Sequence, residues 1–121
     1  MTALKDFVHP TAVMSRAFYG VTDIAPVRAA VESIAEVMVE PRGLFLGDNL
    51  ITFGKSLGFL EDRVLMEAFV RNAQTPPERG ALWRLVTLVW AARTALRADG
   101  DFVECGCYKG VSARIISEVA G

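Results

Sequence analysis

The chain has 121 residues, of which 52% are apolar and 22% charged, with a formal net charge of −1. That size suits one domain or part of one, and that composition suits a buried core rather than a disordered chain. Lysine and arginine form no cluster and the charge balance makes no basic field, so nucleic acid is not expected as a partner.

No apolar run reaches the roughly 18 residues of a membrane span, so no membrane partner is expected either. The start, Met1, Thr2, Ala3, Leu4, Lys5 and Asp6, lacks the basic-then-apolar order of a signal peptide. Two cysteines, Cys105 and Cys107, stand one residue apart. A disulfide across that spacing is strained, which favours reduced thiols and a cytoplasmic location. As half of a metal site the pair lacks a second pair, so small residues filling a strand end and a turn is the favoured reading.

Residues 1–22 mix apolar side chains with Pro10 and Gly20, and a short helix is expected around 10–17. His9, the only histidine, is either a catalytic base or a packing residue beside Pro10. A clearer helix follows, capped by Asp23. Val27, Ala30, Val31, Ile34 and Met38 fall on one stripe, and Arg28 and Glu32 are spaced to pair. Pro41 and Gly43 end it.

Residues 44–60 fit neither a helical nor a strand period. Gly47, Gly54 and Gly58 alternate with Phe45, Phe53 and Phe59. The expectation is a loop with aromatic anchors, either folded over a ligand that Asn49 and Lys55 reach or serving as a packed connection. The next helix is expected from near Glu61 to Asn72, with Val64, Leu65, Ala68 and Phe69 inside. Glu61, Asp62, Arg63, Glu67 and Arg71 would form its wet face.

Thr75, Pro76, Pro77 and Glu78 are a helix start signal of the capping-box kind. One long helix is expected from there to about Ala98. Leu82, Leu85, Val86, Val89 and Leu96 line one face, and Trp83 and Trp90 widen it enough for packing on more than one side. Gly100 would stop it.

The last stretch changes period. Residues 102–105 can lie extended, and from Val111 the apolar spacing (Val111, Ile115, Ile116, Val119) is helical. Between them stand Glu104, Gly106 and Gly110. A carboxylate at a strand end, then a glycine-lined turn into a helix, suits a nucleotide-type cofactor, because glycine permits close backbone approach and the helix start offers free N–H groups. The dinucleotide fingerprint needs three glycines and the P-loop needs Gly-Lys-Ser/Thr; neither is met. An acidic residue two places before the first glycine suits S-adenosylmethionine instead, whose amino-acid tail is cationic and which has no phosphate.

The whole run Gly100-Asp101-Phe102-Val103-Glu104-Cys105-Gly106-Cys107-Tyr108-Lys109-Gly110-Val111-Ser112-Ala113 resembles motif I of the macrocin O-methyltransferase (TylF-type) family of class I methyltransferases. The helix with Trp83 and Arg93 and the segment from Gly47 to Leu60 look like the N-terminal region of one branch, so the resemblance covers about residues 44–121. It implies an α/β, Rossmann-like parent fold with S-adenosylmethionine at the end of the first strand. The residues present would be mainly helical, with that first strand and the helix after it. Residues 1–98 would form an N-terminal helical cover, and 99–121 the first strand–turn–helix of the cofactor domain.

By that resemblance Glu104, Gly106 and Gly110 are the cofactor-binding positions, flanked by Cys107, Tyr108 and Ser112. The reaction implied is methyl transfer to a hydroxyl of a sugar or secondary metabolite, with Mg2+ required in several members. A homo-oligomer is compatible with it. The acid that holds the ribose hydroxyls belongs roughly 20 residues past the turn, and the metal ligands and base lie further on. The expectation is therefore the N-terminal part of a longer enzyme, inactive alone. The alternative is a non-catalytic helical binding or oligomerisation module in which the turn only caps a helix.

Overall fold

The computed structural model describes residues 8–9, 12–14, 20–38 and 43–121, the first two stretches as backbone only. Four strands form one mixed sheet in the order β1 (Val8–His9), β2 (Ala12–Met14), β3 (Leu44–Gly47), β4 (Leu50–Thr52). β1 and β2 pair antiparallel, β2 and β3 parallel, β3 and β4 antiparallel. Parallel neighbours need a long crossover, and α1 (Ala25–Glu36) lies in it. The remaining helices are a single 3-10 turn (Gly58–Glu61), α2 (Arg63–Asn72), α3 (Pro76–Gly80), α4 (Leu82–Ala95) and α5 (Val111–Ala120).

β3 is the hinge of the packing. Leu44, Phe45 and Leu46 are all buried, so both faces of this strand are covered. Successive side chains of a strand point to opposite faces. Leu44 and Leu46 meet Val27, Val31 and Ala35 of α1 on one side. Phe45 on the other side joins the core of α2, α4 and α5, with Leu65, Phe69, Leu85, Val89, Val111 and Ile115. The described residues thus form three layers, with α1 on one face of the sheet and α2, α4 and α5 on the other. Phe45 also meets Trp83 at 5.0 Å and Phe59 at 6.5 Å between ring centroids, and Phe59 meets Trp83 edge-on at 5.8 Å. Such geometries add to area burial.

Within the loop expected at 44–60, residues 44–52 form a hairpin instead. Asp48 (φ 50°) and Asn49 (φ 55°) are both left-handed, the geometry that a two-residue loop needs to match strand twist. Arg84 of α4 donates to both oxygens of Asp48, at 2.5 and 3.2 Å, fastening the turn to the helical layer. Gly43 (φ +80°) is required by space as well: a Cβ there would stand 2.1 Å from the Lys55 carbonyl oxygen.

Other expectations shift. Ala12–Met14 is strand, not helix; the rest of the helix expected at 10–17 lies outside the described residues, as does the His9 side chain. In α1 the buried face is Val27, Val31 and Ala35, while Ile34 is exposed; Arg28 and Glu32 approach to 3.9 Å. In α2 Val64 points outward and Met66 inward. Asp62 is not simply on the wet face. Its carboxylate caps α2 by accepting from the Leu65 N–H at 3.0 Å and also receives Arg93 of α4. The bond to Arg93, opposed by burial and helped by the Leu65 N–H, holds the Asp62 carboxyl below its ordinary value.

The long helix expected from Thr75 is two, broken at Ala81. Its start behaves as expected, with Glu78 accepting from the Thr75 N–H at 2.8 Å. Trp83 is packed but Trp90 is 68% exposed. Helix α4 ends at Ala95, before Gly100, and residues 102–105 have no ladder partner among the described residues. An extended segment becomes a strand only when a neighbour supplies its hydrogen bonds, and here none does. α5 packs into the same core as α2 and α4 through Val111 and Ile115. No described helix is long and apolar enough to cross a membrane.

Candidate functional site

The turn before α5 is built from three left-handed residues. Gly106 has φ +82°, Lys109 φ +49° and Gly110 φ +66°. The Tyr108 N–H donates to the Gly106 carbonyl at 2.8 Å and closes a tight turn about Cys107. Gly110 stands at the N-cap of α5, and Val111 then enters the core. The first N–H groups of a helix have no partner within it, and no side chain caps them here.

Of the residues expected to form the site, Glu104 and Ser112 are brought together: the Ser112 hydroxyl donates to the Glu104 carboxylate at 2.5 Å. This bond closes the loop between the extended segment and the first turn of α5. Glu104, Gly106, Cys107 and Tyr108 are exposed, while Gly110 and Ser112 are half-buried. A Cβ added at Gly106 would meet nothing within 4 Å, so the backbone there faces open space. Cys105 and Cys107 are both free and exposed. The Tyr108 ring is 79% exposed and carries the Lys109 ammonium over its face at 5.3 Å.

Lys109 also acts electrostatically on Glu78 of α3. The Glu78 carboxyl is held below the ordinary value chiefly by the Thr75 N–H and hydroxyl, then by the Gln74 N–H, with Lys109 a smaller cause against some burial.

Two residues that carry no sequence signal complete the turn. Arg114, one turn into α5, donates from Nη1 to the Lys109 carbonyl at 3.0 Å and from Nε to Asn72 Oδ1 at 3.3 Å. Asn72, the last residue of α2, donates in turn to Glu118 at 2.8 Å and to the Ala68 carbonyl at 2.9 Å. Glu118 also receives Arg71 at 3.0 Å.

No family model, curated protein or solved structure matches the chain.

The donor set defines what the turn suits. An exposed carboxylate with a hydroxyl beside it accepts a cation, and uncapped N–H groups at a helix start favour an anion. A zwitterionic amino-acid tail, such as the methionine portion of S-adenosylmethionine, offers both. A phosphate would be repelled by Glu104. Among the described residues no group of three or more His, Cys, Asp or Glu side chains is placed to hold a metal ion.

Proposed function

We propose that the 104–110 turn binds the methionine end of S-adenosylmethionine, and that the chain is the N-terminal portion of an O-methyltransferase acting on a hydroxyl of a sugar or secondary metabolite. One observation carries this reading. A strand-like segment that ends in Glu104 passes through left-handed Gly106 and Gly110 into an uncapped helix start, with Ser112 bonded back to the carboxylate. The motif-level resemblance of residues 100–113 supports the same cofactor, within a Rossmann-like parent fold.

When bound, the cofactor would supply an electrophilic methyl on a sulfonium, for in-line transfer to the acceptor oxygen with the sulfur leaving as a neutral thioether and the hydroxyl proton passing to a base. Glu104 holds the tail ammonium. Gly106 lets the backbone lie against the ligand without a Cβ, and the N–H groups of Val111 and Ser112 face its carboxylate. Cys107 and Tyr108 flank the ligand. These residues position the donor, and orientation is a large part of catalysis for such displacements.

The test is a titration of S-adenosylmethionine into the chain, followed by amide NMR. Shifts centred on residues 104–113 are expected, with saturation near millimolar concentration for half of a site, a free energy of about −4 kcal/mol. Methionine alone should produce the same pattern and adenosine should not. Shifts scattered over the surface, or none, would refute the assignment.

A second reading is favoured by the exposed apolar side chains Leu88, Trp90, Phe102 and Val103. Where exposed apolar side chains adjoin, they form an interaction surface. On that reading the chain is a non-catalytic binding module, and Glu104→Gln would leave every ligand interaction unchanged.

A further inference from the structure

We propose that Arg114 is a positioning residue that locks the Lys109–Gly110 peptide, and so fixes the direction of the Gly110 N–H at the start of α5. Lys109 is a non-glycine residue at φ +49°, a strained conformation that persists only where its surroundings hold it. The Arg114 guanidinium supplies the hold, through Nη1 on the Lys109 carbonyl at 3.0 Å. The same nitrogen also lies against the next residue, 3.5 Å from where a Cβ on Gly110 would stand.

A trans peptide is planar, with its C=O and N–H pointing oppositely. Holding the Lys109 carbonyl toward Arg114 therefore turns the Gly110 N–H away from that guanidinium. Arg114 is itself anchored, since its Nε donates to Asn72, and Asn72 is held by the Ala68 carbonyl and by Glu118. A chain of hydrogen bonds thus runs from the end of α2 to one peptide of the turn. The proposal concerns the geometry of that peptide; its effect on cofactor binding rests on the function proposed above.

The test compares Arg114→Leu with Glu118→Gln in the whole chain. Glu118→Gln removes the charge that receives Arg71 but keeps a side-chain oxygen that accepts from Asn72, so the anchor of Arg114 and its hold on the Lys109 carbonyl stay in place. Relaxation dispersion at the Lys109 and Gly110 amides reads peptide flipping on the microsecond-to-millisecond scale. Dispersion is expected in Arg114→Leu and not in the wild type or Glu118→Gln, with the amide of the fully buried Ile115 unchanged in all three. If Arg114→Leu is as quiet as the wild type, the proposal is wrong. It is equally wrong if dispersion extends to Ile115, because Arg114 then merely holds the helix to the core. A titration with S-adenosylmethionine adds a second readout: an affinity about tenfold weaker in Arg114→Leu and unchanged in Glu118→Gln. Should the wild type show no binding, the functional reading falls while the dispersion data still decide the role of Arg114.

Discussion

Replacing Phe45 by alanine tests whether β3 joins the two helical layers. The ring is 1% exposed, contacts Trp83 at 5.0 Å and Phe59 at 6.5 Å, and lies in the core that contains α2, α4 and α5. Deleting a buried phenylalanine ring costs about 3–5 kcal/mol through lost transfer energy and the cavity left behind. Each aromatic contact contributes roughly 0.5–1.5 kcal/mol beyond burial. A loss near the middle of that range, about 4 kcal/mol, is a large part of the ~5–15 kcal/mol available to a domain. At about 4 °C per kcal/mol for a chain of this size, the melting midpoint should fall by about 15 °C. The control is Phe53→Ala, beside the same hairpin but 38% exposed, which should cost under about 1 kcal/mol. Thermal and urea melts followed by circular dichroism measure both. Equal losses for Phe45→Ala and Phe53→Ala would refute the layered packing and favour a loose aromatic loop.

Gly43→Ala should destabilise by at least about 2 kcal/mol, because its Cβ meets the Lys55 backbone at 2.1 Å on top of left-handed strain. Gly54→Ala, also left-handed but facing open space, should cost about 1 kcal/mol; paired urea melts separate the two. Asp62→Asn keeps a cap on α2 but loses the charge that receives Arg93. The Asp62 carboxyl is depressed in the folded chain, so its contribution is complete above the ordinary value of 3.8 and is lost as pH falls through the lower folded value. The stability gap between wild type and Asp62→Asn should therefore be flat from pH 7 to about 5 and close below about 4; a gap that persists at pH 2 would contradict the ion pair. Gly106→Ala should cost about 1 kcal/mol of stability from its positive φ yet abolish the S-adenosylmethionine-induced shifts. Retained shifts would show that the ligand does not approach that backbone.

Local signals were legible from the residues alone. The bond from Glu78 back to the Thr75 N–H and the helix from Val111 depend on neighbours within one turn, and both are present. The hairpin was hidden because its turn is Asp48-Asn49 rather than a glycine pair, and two left-handed non-glycine residues give little warning. The parallel pairing of β2 with β3 is non-local, so no period in either strand announces it. Residues 102–105 have strand character in sequence, but a ladder needs a partner that composition does not name. In the candidate site, the glycines and Glu104 could be read directly. Arg114 could not, since its importance comes from Asn72, 42 residues away.

In the function proposed above, Glu104 of the 104–110 turn receives the ammonium of the amino-acid tail of S-adenosylmethionine. Titration of that compound into the wild type and into Glu104→Gln, with amide shifts as the readout, tests it most directly. The account predicts shifts confined to 104–113 in the wild type and an affinity at least about tenfold weaker in Glu104→Gln, a loss of about 1.4 kcal/mol for one charged contact. Equal affinity in the two proteins would contradict it.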